Sequence, residues 1–354
     1  MTPVRVGLRC DAGATRGVGH LVRCVALGEE LASRGVRPVF LGDTGGLPWA
    51  EEQLARRGFA RVPGPDTPDG AVAAVKEHGL AAMVLDSYTL DPACAGALRE
   101  RGVPVLAVVD GDLRGQDADL YLDQNLDAEL AAPPLPPDAV RLAGLRYVLL
   151  RDDVLRLRPT APVRHPGAAR PKVLAFFGGT DAFSAAPPLC RLVLGTGLPL
   201  ELTVVAGTPA LHRQLLSLPV GPEQAIHVLA PTDRLPALVA EADLVVSASG
   251  TSTWELLCLG AAAALVWVVD NQELGYERVV ARGLSAGLGH LSDLTDPDGS
   301  HAVAARDTLR RLLSSPNARA AASARALGAV DGLGRARVAD ELLALVVSRR
   351  HHAA

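Results

Sequence analysis

Two doubly wound α/β domains are what this 354-residue sequence predicts, on three observations. Short β-branched apolar runs alternate with helical stretches almost throughout, the pattern of repeated βα units. Those runs are continuously apolar rather than alternating, as in parallel strands covered by helices on both faces. The length suits two domains of ordinary size, and a proline-rich stretch falls near the middle of the chain.

In the first half, strands are expected over 4–10, 38–42, 82–86, 103–109 and 120–123, with helices over 20–34, 49–57, 70–78 and 92–101. In the second half, strands are expected over 172–177, 201–206, 225–229, 244–248 and 264–269, again separated by helical runs. Between the halves, 156–172 reads RLRPTAPVRHPGAARPK, with prolines at 159, 162, 166 and 171 and almost no large apolar residue. Such a stretch can neither continue a helix nor pack a core, so it reads as a linker. The expected organisation is a first domain over 1–157, a linker over 158–172 and a second domain over 173–354 that ends in Ala-, Leu- and Arg-rich helices. Ligands of open α/β sheets bind at the carboxyl ends of the strands, so the chemistry is expected to face a cleft between the domains.

Composition removes several function classes. At 49% hydrophobic and 21% charged, the chain is no disordered segment. Lys plus Arg is 35 against 39 for Asp plus Glu, a net charge of −4, and the aromatics are few: 5 Phe, 4 Tyr and 3 Trp. A nucleic-acid partner normally needs a basic surplus and stacking platforms, so none is expected. Arginine outnumbers lysine 33 to 2, which suits GC-rich codons and is given no functional weight. The five cysteines (Cys10, Cys24, Cys94, Cys190, Cys258) include no CxxC pair. They read as free, mostly buried thiols in a reducing compartment. The start, MTPVRVGLRCDAG, lacks the apolar core of a secretion signal. The longest uncharged apolar run, between Glu255 and Asp270, has 14 residues, too short for a membrane span of roughly 20. A cytoplasmic protein without a membrane span is expected.

Four loops carry candidate chemistry. The first follows strand 4–10 and reads Arg9-Cys10-Asp11-Ala12-Gly13, then Gly17-Val18-Gly19-His20-Leu21-Val22-Arg23-Cys24. Glycines there let a ligand approach the backbone, and a helix starting beside His20 offers free N–H groups. A histidine at that end is disfavoured as imidazolium and available as a base; the bland alternative is a histidine that merely caps the helix. The second loop is Ser247-Ala248-Ser249-Gly250-Thr251-Ser252-Thr253-Trp254-Glu255. Its hydroxyls and N–H groups suit a diphosphate, and Glu255 suits a ribose diol; alternatively Glu255 completes a capping box from Thr251 or Ser252. The third is Asp270-Asn271-Gln272, whose amides either sort sugar hydroxyls or start the next helix. The fourth, Phe177-Gly178-Gly179-Thr180-Asp181, repeats the strand-to-glycine-loop pattern. Lesser candidates are Asp86-Ser87-Tyr88, Asp110-Gly111-Asp112 and Asp123-Gln124-Asn125. Asp110-Gly111-Asp112 mimics a DxD metal site but reads as a turn, and no metal is expected. Gly42-Asp43-Thr44-Gly45-Gly46 reads as a plain loop.

Taken together, DAGATRGVGHLVRC, DSY at 86–88, DQN at 123–125, GGTD at 178–181, SASGTSTWELLCLG, VVDNQ and the late VDGLGRARV resemble, in order and spacing, the PseG/SpsG family. These are UDP-sugar hydrolases of pseudaminic-acid synthesis and related spore-coat polysaccharide proteins, and the likeness spans nearly the whole chain. The resemblance implies a MurG-like GT-B fold, two Rossmann-like domains facing a cleft, with the nucleotide held by the second and no metal or cofactor. It makes His20 the general base that activates water at the anomeric carbon of an acetamido-deoxy UDP-sugar, releasing UDP. It places Asp11, Tyr88 and Asn271 on the sugar, Gly178, Gly179, Ser249, Gly250, Thr251 and Ser252 on the diphosphate, and Glu255 on the ribose. Gly17, Gly19, Arg23, Asp181 and Gln272 join these as substrate-binding candidates. The same scaffold transfers the sugar if an acceptor replaces water at His20, so a glycosyltransferase is the alternative, with a non-catalytic nucleotide-sugar binder third. The expected assembly is a monomer or weak homo-oligomer.

Overall fold

The computed structural model describes residues 3–13, 17–162, 169–178 and 181–353, with side chains to 349. The chain divides into two compact units, Met1–Asp152 with Gly332–Ala354, and Asp153–Asp331.

Unit 1 holds a parallel seven-stranded sheet of β1 (Arg5–Cys10), β2 (Arg37–Leu41), β3 (Ala60–Val62), β4 (Ala82–Asp86), β5 (Val105–Val108), β6 (Leu120–Asp123) and β7 (Val140–Ala143). Its spatial order is β3-β2-β1-β4-β5-β6-β7. The helices between are α1 (Gly19–Ser33), α2 (Pro48–Arg56), α3 (Pro68–His78) and α4 (Ala93–Glu100), and α5 (Asp152–Leu155) lies at the unit boundary. Side-chain alternation splits each central strand between two apolar layers. Val6, Leu8, Val84, Leu106 and Val108 pack with Leu27 and Leu31 of α1 on one face. Met83, Leu85, Val105 and Ala107 pack with Cys94 and Leu98 of α4 on the other. Both faces are covered, which is why these strands are apolar at every position.

Unit 2 holds a parallel six-stranded sheet of β8 (Lys172–Phe176), β9 (Leu200–Val205), β10 (Gln224–Leu229), β11 (Leu244–Ala248), β12 (Ala263–Trp267) and β13 (Ala286–His290), in the order β10-β9-β8-β11-β12-β13. Its helices are α6 (Ala186–Leu194), α7 (Pro209–Leu216), α8 (Leu235–Glu241), α9 (Ser252–Cys258), α10 (Glu273–Ala281), α11 (Ser300–Ser314) and α12 (Pro316–Ala329). Local sequence sets several helix starts. Thr208 accepts from Leu211 N and Ser315 from Ala318 N, each followed at once by a proline whose missing N–H is no loss there. Arg319, 1% exposed, closes the end of α11 by donating to the Leu312 and Leu313 carbonyls.

The last helix, α13 (Gly334–Ala353), differs from expectation. The sequence places 173–354 in the second domain, yet the chain from Gly332 onward belongs to unit 1. Val338, Ala339, Leu342 and Val346 are buried in the same cluster as Leu27 and Leu31 of α1. Arg335 adds ion pairs to Glu29, Glu30 and Asp152. A helical tail carries no mark of which sheet it returns to. Its apolar stripe alone fits either domain.

In each sheet the strand order reverses once, between β1 and β4 in unit 1 and between β8 and β11 in unit 2. Loops leaving the carboxyl ends of strands on either side of such a reversal diverge and leave a crevice, the usual ligand position of open α/β sheets.

Candidate functional site

Unit 1 assembles its polar groups at the reversal point. His20 is the second residue of α1, after β1, and Asp86 ends β4, in register with Cys10. Nδ1 of His20 lies 2.6 Å from Asp86 Oδ1. Arg23, one turn along α1, grips the same carboxylate side-on, with Nε donating to Oδ2 at 2.6 Å and Nη2 to Oδ1 at 2.5 Å. Its remaining N–H groups lean on Asp110, after β5, at 3.3 and 3.4 Å. The Asp110 carboxylate also accepts from the Tyr88 hydroxyl and from Asn125 Nδ2, the latter at 3.0 Å. Asn125 is shared with Asp123 at the end of β6, and Arg141 reaches Asp123 at 3.2 Å. Side chains of four strand ends are thereby tied into one network.

Tyr88 stands over the site entrance, 56% exposed, its ring edge-on to His20 at 4.7 Å and under the Arg114 guanidinium at 5.0 Å. Asp86 has no exposure and Arg23 only 4%. Burial acts to raise the Asp86 carboxyl, but the Arg23 guanidinium and the His20 contact outweigh it and hold the group far below the usual carboxylate range. Asp110 is lowered in the same way, burial being overcome by Arg23, Tyr88 and Asn125. Lost hydration at the hydroxyl and the adjoining Asp110 charge push the Tyr88 phenol up.

The bland reading of His20 as a helix cap does not describe the structure. Val18 takes the cap position without a side-chain bond, and the imidazole turns to Asp86 instead. A carboxylate accepting from Nδ1 fixes the tautomer whose Nε2 carries the lone pair.

The other residues of this loop hold the backbone. Gly17 sits at φ +75° and pairs with Gly13 through reciprocal backbone bonds of 2.8 and 3.1 Å. Gly19 opens α1. Asp11, placed on the sugar by resemblance, spends Oδ1 on Arg9 at 2.8 Å and on Asp43 N at 3.0 Å. It therefore pins the β1 loop to the turn after β2. The fit there is close, since a Cβ on Gly42 would lie 1.8 Å from the Cys10 carbonyl oxygen. The DxD mimic is a turn, with Gly111 at φ +83° and Asp112 accepting from Arg114 N; only Asp110 points into the network.

Unit 2 presents its hydroxyl-rich loop at the second reversal point. Ser249 is buried, its N–H donating to Val266 O at 2.7 Å, and Gly250 to Ser252 lead into α9. Thr251 occupies the cap position with no side-chain cap bond, so its half of the capping box is not made; Glu255 is half-buried on the first turn. Gln272 crosses to this loop, its Nε2 lying 3.7 Å from where a Gly250 Cβ would stand, while its Oε1 accepts from Val268 N at 3.0 Å. Asn271 is exposed beside it. Inside the loop, the buried hydroxyls of Ser247 and Thr253 meet no hydrogen-bond partner among the described residues.

On the other side of the reversal, Gly178 follows β8 at φ +77°, a conformation open to glycine and strained for other residues. Gly179, assigned to the diphosphate, lies outside the described residues. Asp181, a substrate-binding candidate, has both oxygens committed to the start of α6, accepting from Ala185 N at 2.8 Å and Ala186 N at 3.0 Å. Burial raises its carboxyl despite those bonds. Asp86, Asp110 and Asn125 carry the unit 1 network, although the sequence offers their triplets only as lesser candidates and names none of the three among the substrate-binding residues. Each strand-ending Asp was a visible signal; its partner was not.

No protein-family model matches the chain, and no curated protein sequence matches it. Solved structures do. The chain aligns with MurG of Acinetobacter baumannii at TM-score 0.67 and 17% identity, over 96% of this chain and 99% of that one. The fold is GT-B. The kitacinnamycin glycotransferase aligns at TM-score 0.66 and 17% identity, over 98% and 100% of the two chains. The MnaA–UDP structure of S. aureus aligns at TM-score 0.65 and 12% identity, over 95% of each. All five cysteines are buried and free. Among the described residues, no helix is long and apolar enough to cross a membrane, and no group of three or more His, Cys, Asp or Glu side chains is placed to hold a metal.

Proposed function

We propose that this GT-B chain cleaves a UDP-sugar at the anomeric carbon, with His20 as general base and water as nucleophile. The observation that carries this is the 2.6 Å contact between His20 Nδ1 and the buried Asp86 carboxylate at a strand-order reversal. A base needs one nitrogen oriented and the other left for the reacting group, and this pair supplies the orientation. Nε2 takes a proton from water as the water oxygen bonds to the anomeric carbon. The bond from that carbon to the diphosphate oxygen breaks, and UDP leaves with the electron pair. Asp86 stays ionised and stabilises the imidazolium formed.

UDP is assigned to unit 2, the diphosphate against Ser249, Gly250, Thr251 and Ser252 and the ribose against Glu255. The UDP in the MnaA structure, which shares this fold, supports a uridine nucleotide. Tyr88 and Asn271 are assigned to the sugar. Water as nucleophile rests on the motif resemblance to PseG/SpsG hydrolases. Neighbours described as glycosyltransferases, among them the calicheamicin enzyme CalG4, support a second reading in which an acceptor hydroxyl takes the place of water.

Incubation with a panel of UDP-sugars, with and without acceptors and with and without EDTA, tests both. UDP release without acceptor, undiminished by EDTA, is the expected result. Release only with an acceptor replaces the first reading by the second, and binding without turnover under every condition overturns both.

A further inference from the structure

The Arg23 guanidinium has a position that nucleotide-sugar cleavage does not by itself demand. It is almost wholly buried and spends its side-on fork on the one carboxylate that holds His20. Asp86 Oδ1 accepts from His20 Nδ1 and from Arg23 Nη2 together, and that Nη2 lies 3.2 Å from the same His20 nitrogen. A carboxylate in a dry site favours the charged form of a neighbouring imidazole strongly, because little water screens the pair. An imidazole already holding its proton takes none from water. The carboxylate that orients His20 therefore also favours the charged ring, and a cation bonded to that carboxylate moderates the effect.

Resting on the reading of His20 as base, we propose that Arg23 is a positioning residue. It grips the Asp86 carboxylate side-on while that carboxylate fixes the ring, so the charge that faces His20 is shared with a buried guanidinium. The other groups around the ring agree with this assignment. From α1 come Arg23 and Cys24, whose thiol meets Asp86 Oδ2 at 3.7 Å. Cys10, at the end of β1, adjoins Cys24, and a hydrogen bond with Cys10 together with burial holds the Cys24 thiol protonated. From the loop after β4 comes the Tyr88 ring, its phenol also held protonated. From the loop after β5, Asp110 reaches the cluster through Arg23 and Tyr88. Among the described residues, Arg23 is the cation bonded to Asp86, and it also faces Asp110, while Arg114 lies farther out over the Tyr88 ring. A lysine offers a single point charge without the fork, so it restores the field only in part.

The test is an NMR titration of the His20 ring Cε1–H in the full chain, assigned by its loss in His20→Gln. Wild type, Arg23→Lys and Arg23→Met are compared with Asp86→Asn and the double variant Arg23→Met/Asp86→Asn. The midpoint is expected to move to higher pH by about one unit or more in Arg23→Met, and by less in Arg23→Lys. Turnover of the UDP-sugar by Arg23→Met is expected to fall at pH 7, by at most about tenfold for each unit the midpoint moves, and to recover as the pH is raised. A purely structural Arg23 would give no such recovery. If Arg23→Met does not fold, the Asp86→Asn background carries the test without a buried unpaired carboxylate. There Arg23 keeps Asp110 and faces His20 without the Asp86 charge between them, and the midpoint is expected below that of the double variant. Equal midpoints in that background, or an unmoved midpoint in Arg23→Met, overturn the proposal. A chain that turns over no UDP-sugar leaves the titration series standing, whereas normal turnover with a flat series overturns the role of Arg23 alone.

Discussion

A carboxylate shut away from water is stable only when every lone pair has a donor, and Asp86 meets that condition with His20, Arg23 and Cys24. Two outcomes follow at the scale of single residues. His20→Asn removes the proton acceptor and keeps a polar side chain of similar size, so kcat is expected to fall about 100-fold or more. UDP affinity, measured by titration calorimetry, and the melting temperature are expected to stay near wild type. A folded variant that keeps most of its kcat would end the general-base assignment. The second outcome is a pH dependence of stability. The folded Asp86 and Asp110 carboxyls lie below the ordinary value of 3.8. Their contribution is therefore complete above that value and is lost as pH falls through it toward the folded values. Urea denaturation at pH 6 is expected to show wild type well above Asp86→Asn, with the gap narrowing as the pH falls from 4 to 2. A gap as large at pH 2 as at pH 6 would mean that the carboxylate charge is not what stabilises the network.

Elements were legible where burial is two-sided. The central strands β1, β4, β8 and β11 stand out as continuous apolar runs because helices cover both of their faces. The strands not anticipated, β3, β7 and β13, lie at sheet edges, where residues such as Ala60, Arg61 and Val140 are exposed and the apolar signal breaks up. Site residues divide by a similar rule. His20 and the loop over 249–255 were visible because glycines and hydroxyls between a strand and a helix are a local pattern. The pairing of His20 with Asp86 spans 66 positions and leaves no local trace. Asp181 shows the converse, since a site-like spacing proves to be a backbone cap. The clearest difference is α13, and it yields a discriminating outcome. Leu342 is fully buried among unit 1 residues, so Leu342→Ala is expected to destabilise unit 1 by about 2–5 kcal/mol and leave unit 2 unaffected. Hydrogen exchange resolved by segment reads this directly. Faster exchange confined to 172–331 would return α13 to the second domain.

For the whole molecule, the separate cores make ligand binding and stability divisible. Each unit has its own sheet and its own buried clusters, so calorimetry is expected to resolve two unfolding transitions, the Leu342→Ala variant identifying that of unit 1. A ligand stabilises only the folded state that binds it, by RT ln(1 + [L]/Kd), or about 2.7 kcal/mol at a hundredfold excess over Kd. With UDP assigned to the loop over 249–255, UDP alone is expected to raise the unit 2 transition and leave that of unit 1 in place. Glu255→Ala removes the ribose acceptor, and loss of a charge-assisted hydrogen bond corresponds to about a tenfold weaker Kd. In that variant the same UDP concentration is expected to move the unit 2 transition less, while the ligand-free transition stays near wild type. A UDP shift confined to unit 1 would move the nucleotide to the His20 side. A Glu255→Ala shift equal to wild type would keep the nucleotide on unit 2 and remove Glu255 from its site.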